Sequence, residues 1–156
     1  MANPLNIGIE QAAQKIRQYC AYQERNHQEV KEKLYGYGLY KDQVDTLMAS
    51  LISENYLNEE RYAIAFAGGK FRVKEWGKVK IKYALKQNKI SEYCIKKALN
   101  QISEDDYLRT LEKLFHAKHK EVKKEKNIFV QKKKIQNYLM QKGFEHELIH
   151  TLLQQL

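Results

Sequence analysis

Apolar residues recur every three or four positions along almost the whole chain, the spacing of helices that each bury one face. Ala12, Ile16 and Cys20, with Ala13 and Tyr19 beside them, line a first helix; Val30, Leu34 and Tyr37 line a second; Val44, Leu47, Met48, Leu51 and Ile52 line a third. The pattern then returns twice. Val30, Leu34, Leu39, Val44, Met48 and Leu51 shift by 51 residues onto Ile81, Leu85, Ile90, Ile95, Leu99 and Ile102. A further shift of 54 reaches Ile135, Leu139, Phe144, Ile149, Leu153 and Leu156. All eighteen positions are apolar in a chain that is 43% apolar, which marks an internal repeat. The leading helix repeats less closely, with Ala12, Ile16 and Cys20 corresponding to Ala63, Ala67 and Phe71 in the second unit. The chain therefore reads as all-α: a tail over residues 1–9, then three tandem three-helix repeats over 10–56, 57–102 and 103–156.

Local signals punctuate these units. Asn26 followed by Glu29 has the form of an N-cap with an acidic N3 partner, and Ser103 with Asp106 is a relative of it. Asn58 followed by Glu59 and Glu60 places acids in a first turn, where the helix dipole favours them. Gly38-Leu39 and Gly143-Phe144 read as stops, because glycine takes the left-handed conformation after a helix at little cost. In the second unit Lys89 stands in that place, and Asn88 is the expected left-handed residue. The third unit's leading segment is longer and ends in the charged run 118–126, read as a solvated helix extension rather than a mobile connection because it lacks Gly and Pro. Gly68-Gly69 reads as a place of close helix approach or a kink. A unit of about 50 residues buries little surface alone. The three are expected to lean on one another as an elongated, curved array with a long exposed face.

Composition narrows the class. A single proline and seven glycines disfavour a many-turned β fold. No apolar run approaches the roughly 18–20 residues of a membrane span, and the first residues lack the basic start and apolar stretch of a secretory signal. Two cysteines, Cys20 and Cys94, make no disulfide framework. A cytoplasmic protein, a monomer without a membrane partner, is the expectation. Charge changes the picture more. The net charge is +9, and residues 57–102 carry eleven basic side chains against four acids. Lys70, Arg72, Lys74, Lys78, Lys80, Lys82, Lys86 and Lys89 stand against one acid, Glu75. Such a field favours phosphate backbones, anionic membrane surfaces or acidic protein faces. Lysine also outnumbers arginine 23 to 5, a bias that A·T-rich codons alone can produce.

The candidate contact residues are Lys70, Arg72, Lys74, Lys78, Lys82, Lys86 and Lys89. The last four lie three or four apart, on a different face from Ile81 and Leu85. Lys70, Lys74 and Lys78 continue the stripe if the two helices lie close. Solvated helix surface is the competing reading. Trp76 reads as packed at a helix junction, with a partner anchor as the alternative. Arg61 and Arg72 read equally well as braces for carboxylates within the array.

One motif points to another chemistry. Residues 146–150 read His-Glu-Leu-Ile-His, matching H-E-x-x-H, in which two histidines hold zinc and the glutamate is a general base. A catalytic zinc needs a third protein ligand and an open position, and the sequence signposts none. Ile149 already occupies the core place of Val44 and Ile95. His116 and His119 read as helix-surface residues. No phosphate-loop, dinucleotide or nucleophile-elbow motif occurs. No catalytic residue, metal or cofactor is assigned.

The stretch Asn55-Tyr56-Leu57-Asn58-Glu59-Glu60-Arg61-Tyr62-Ala63 resembles the junction between the first two repeats of RecX-type recombination regulators. Asn58 departs from the family's acid there. The segment from Lys70, Phe71 and Arg72 through Trp76-Gly77-Lys78 to Ile81, Leu85 and Ile90 is also similar, with Gly77 matching the glycine before the second helix of the middle repeat. This resemblance implies a non-enzymatic protein that binds the RecA recombinase and its nucleoprotein filament. It implies suppression of filament growth, strand exchange and ATP hydrolysis in homologous recombination and DNA repair. The positive middle unit would face single- or double-stranded DNA phosphate or an acidic protein surface. A free-standing, non-sequence-specific nucleic-acid-binding repeat protein is the alternative, and a zinc hydrolase the third.

Overall fold

In the computed structural model, which describes residues 5–156, the apolar repeat becomes nine α-helices, with no strand among the described residues. They are α1 (Ile9–Tyr22), α2 (His27–Gly36), α3 (Lys41–Ser53), α4 (Glu59–Lys74), α5 (Lys78–Gln87), α6 (Glu92–Asn100), α7 (Glu104–Glu121), α8 (Ile128–Lys142) and α9 (His146–Leu153). Of the eighteen repeat positions, sixteen are buried; Leu99 and Leu156 are half-buried. Ala12, Ile16 and Cys20, and likewise Ala63, Ala67 and Phe71, are all buried. The chain packs as two compact units, one ending at Ala65 and the other running from Phe66 to Leu156.

In the first unit α1, α2 and α3 pack on one another around Ile16, Val30, Leu34 and Val44, none of which reaches solvent. Asn26 caps α2 as its spacing predicts. Its Oδ1 accepts from the Glu29 N–H at 2.7 Å, and Glu29 Oε1 accepts from the Asn26 N–H at 3.1 Å. Of the expected tail, residues 1–4 lie outside the described residues. Residues 5–8 are tied to the turn after α2 and to the first turn of α3: the Ile7 N–H donates to the Tyr37 carbonyl at 3.2 Å, and Asn6 Nδ2 donates to Gln43 Oε1 at 3.0 Å. Burial pushes the Cys20 thiol upward, which leaves it a core group of low reactivity.

In the second unit α5 packs on α6, and α8 packs on both α7 and α9. Ser103 caps α7, its Oγ accepting from the Asp106 N–H at 3.4 Å, while the Asp106 carboxylate turns to Arg109 at 3.1 Å. The charged run is helix only as far as Glu121. Val122 is buried and ends α7, so residues 122–127 form an ordered turn in place of the expected extension. The reason is the one apolar residue in that run, which the chain folds inward. The helix α4 runs unbroken through Gly68-Gly69. A Cβ at Gly68 would meet the guanidinium of Arg72 on the same helix.

The helix stops show how one position answers different surroundings. Gly38 (φ 83°) and Gly143 (φ 95°) are left-handed, as expected. In the second unit Lys89 itself is left-handed (φ 60°) and Asn88 is not (φ −83°), which corrects the expectation. Lys89 is exposed, so only backbone strain opposes its side chain. Left-handed backbone costs an L-residue roughly 1–2 kcal/mol. Lys89→Gly is expected to raise stability by up to about 1 kcal/mol, the entropy of glycine offsetting part of the gain. Urea unfolding of the two proteins checks this, and a lower midpoint for the variant contradicts it.

Candidate functional site

The basic segment lies on the C-terminal turns of α4, the junction 75–77 and α5. Its placement depends on a close meeting of backbones. Gly77 is the N-cap of α5 and lies against the turn after α8. Its N–H donates to the Lys142 carbonyl at 2.7 Å, and the Val79 N–H donates to the Gly143 carbonyl at 2.9 Å. A Cβ on Gly77 would collide with Gly143 and Phe144, and one on Gly143 would collide with Lys80. Lys142 Nζ reaches back to the Lys74 carbonyl at 2.7 Å.

Tyr107 completes this joint. It lies between the rings of Phe71 (5.7 Å) and Phe144 (5.3 Å) and is 2% exposed. Its hydroxyl accepts from the Lys78 N–H at 2.8 Å and donates to Glu145 Oε1. Burial, and then the Glu145 hydrogen bond, push the phenol far above its ordinary range. The first unit contains a counterpart. Tyr62 is the fourth residue of α4, as Tyr107 is of α7, and its hydroxyl accepts from Asn26 Nδ2 at 3.3 Å. Each tyrosine of the pair meets the start of the preceding triplet's second helix. Beside Tyr62, Arg61 braces Glu24 at 2.5 Å and the Asn55 carbonyl at 3.0 Å. Asn58, the departure from the junction pattern, is the cap of α4: its Oδ1 accepts from the Arg61 N–H at 2.8 Å.

The candidate lysines do not form one stripe. Lys70 Nζ lies 5.0 Å from the centre of the Trp76 ring, and Lys80 Nζ approaches that ring at 4.5 Å. Trp76 is half-buried, and its indole ring attracts both cations. Lys78 and Lys82 instead line an open groove of about 410 Å³ beside α6, with Tyr93, Lys96 and Leu99. Lys78 Nζ also lies 4.9 Å from the Tyr107 ring. Lys86 pairs with Glu92 at 3.3 Å. Lys89 belongs to the turn beyond α5, Arg72 lies over Gly68, and the exposed Lys74 contributes its carbonyl to Lys142.

Sequence reasoning missed Lys96 and Tyr93 in the groove. Both lie off the apolar face of α6, and that signal was available. Lys80 at Trp76 was also missed, and no spacing rule announces it. The His146 and His150 rings stack with centroids 6.4 Å apart on the exposed side of α9, and His150 meets Gln154. Among the described residues no three His, Cys, Asp or Glu side chains gather as a metal site. No helix among them is long and apolar enough to cross a membrane.

Repeated three-helix units with a basic second triplet define a helical-repeat protein. Comparison with known proteins gives the family. The model of the RecX second three-helix domain matches residues 58–99, and that of the RecX third three-helix domain matches residues 104–153. The chain belongs to the RecX family. A "Regulatory protein RecX" of Clostridium perfringens is 29% identical over 133 residues, covering 85% of this chain and 62% of that protein. One from Lactobacillus gasseri is 30% identical over 149 residues, covering 93% and 53%. The chain thus spans about three fifths of the first relative and about half of the second. The crystal structure of RecX from Lactobacillus salivarius superposes with a TM-score of 0.84 at 22% identity, over 95% of this chain and 96% of that one, and so shares the fold.

Proposed function

We propose that this chain binds the RecA recombinase and its nucleoprotein filament and inhibits strand exchange and ATP hydrolysis in recombination and repair. The observation that carries the reading is the pair of RecX domain matches over residues 58–99 and 104–153. The lysine groove of α5 and α6 supports it, since Lys78, Lys82 and Lys96 offer ammonium groups to phosphate or to acidic protein surface without any means of reading bases. RecA-dependent ATP hydrolysis on single-stranded DNA tests the proposal. The rate is expected to fall at stoichiometric protein, and an unchanged rate overturns the proposal. Lys82→Glu with Lys96→Glu is expected to raise the concentration needed by about a hundredfold, since each of the two lost charge-assisted contacts is worth about 1.5 kcal/mol.

A second reading, DNA binding without any partner, has the same groove in its favour. It predicts binding that falls steeply with salt in the absence of RecA. Loss of that binding in the double variant, with filament inhibition retained, separates the two.

A further inference from the structure

The first turn of α8 has no counterpart in the other two triplets. The helix α2 begins three residues before the core residue Val30, and α5 begins three before Ile81, yet α8 begins seven before Ile135. The added turn, residues 128–131, is not needed to bury the repeat's core. It nevertheless carries Ile128, Phe129 and Val130, which are 42%, 78% and 37% exposed. The turn is firmly built. Asn127 Oδ1 accepts from the Phe129 N–H at 2.9 Å, the Asn127 N–H donates to Glu125 Oε1 at 3.2 Å, and Gln131 Nε2 donates to the Glu125 carbonyl.

Positive charge surrounds it. Residues 123–134 contain six lysines and one acid, Glu125, which pairs with Lys134 at 3.8 Å. Lys132 and Lys133 follow Phe129 by three and four residues, so they share its helix face. Lys126 precedes the cap and is exposed. An exposed phenyl ring bordered by ammonium groups presents a flat π-face beside a phosphate track.

We propose that Phe129 is a stacking platform for an unpaired base, with Lys126, Lys132 and Lys133 holding the flanking phosphates, so that this turn is a contact site for single-stranded nucleic acid. Phe129 is about twice as exposed as Ile128 or Val130, and one prominent ring suits a single base better than the broad apolar area a lipid surface needs. A duplex keeps its bases stacked on one another and offers the ring nothing. The site is distinct from the α5–α6 groove and stands apart from RecA regulation, so its test omits RecA.

The test is an anisotropy titration of the full chain with a labelled oligothymidylate and with a duplex carrying as many phosphates. Phe129→Ala is expected to weaken single-strand binding about tenfold, the size of one lost base–aromatic stack, and to leave duplex binding unchanged. Phe129→Tyr retains the parent affinity. Lys132→Gln with Lys133→Gln lowers the slope of log affinity against log salt by about 1.4. Because Phe129 is exposed, thermal melting of the alanine variant should match the parent. The proposal is overturned if Phe129→Ala binds the single strand as the parent does, or loses both ligands equally. It is equally overturned if the parent binds neither, or if the substitution affects only phosphatidylglycerol vesicles. None of these outcomes bears on inhibition of RecA.

Discussion

Gly143→Ala is expected to destabilise the protein by about 3 kcal/mol, the sum of two separate costs. Left-handed backbone at φ 95° costs an L-residue roughly 1–2 kcal/mol. The new methyl would also enter the space held by Lys80, whose Cβ and backbone are its nearest neighbours. Overpacking of that kind typically costs about 1–3 kcal/mol. Relief by separation is not free, because the Val79 N–H to Gly143 carbonyl and Gly77 N–H to Lys142 carbonyl bonds would lengthen together. With a urea m-value of about 1–3 kcal/mol/M the midpoint should fall by at least about 1 M. Gly69→Ala is the internal control. A Cβ there meets open space within α4, so about 0.5–1 kcal/mol of stabilisation is expected. A Gly143→Ala midpoint within experimental error of the parent would falsify the backbone contact as described.

Tyr107→Phe is the second large effect. The ring stays between Phe71 and Phe144, and only the hydroxyl leaves. The Lys78 N–H loses its acceptor and the Glu145 carboxylate loses its donor. Each group left unsatisfied costs about 1–3 kcal/mol when buried, and both here are only partly buried, so a loss of about 2 kcal/mol is expected. The pH dependence gives a sharper signature. The Tyr107 pKa is raised on folding, so the native state keeps this proton where the unfolded chain releases it. The unfolded state then binds fewer protons, and stability falls as pH rises above the ordinary phenol value of about 10. The parent should lose up to about 1.4 kcal/mol per pH unit more than the variant above that value. Parallel stability curves for the two proteins from pH 9 to 11 would rule out this placement of the hydroxyl.

The core was legible because each helix needs one apolar face, and the three triplets repeat that face with the same spacing. Val30, Ile81 and Ile135 were aligned by pattern, and none of the three reaches solvent. Caps were legible for the same local reason, since Asn26 with Glu29 and Ser103 with Asp106 act within one turn of their own helices. The candidate site was legible only as a net charge and a set of faces. Spacing placed Lys78, Lys82 and Lys86 on one side of α5. It did not show that Glu92 would pair with Lys86, or that Trp76 would draw in Lys70 and Lys80. The run 118–126 was misjudged at Val122, because one apolar residue among charges carries no period. Phe129 passed unnoticed, since only its exposure distinguishes it from a core residue.

Period and capping are properties of a single helix, so the sequence by itself determined the nine helical segments' character, their inward faces and the excess of positive charge in the middle third. Which backbones meet is a property of segments far apart in the chain. Gly77 against Gly143, Tyr107 between Lys78 and Glu145, and Tyr62 on Asn26 were therefore decided only by tertiary structure. Lysines with the same spacing became groove, pair or turn according to what packed beside them.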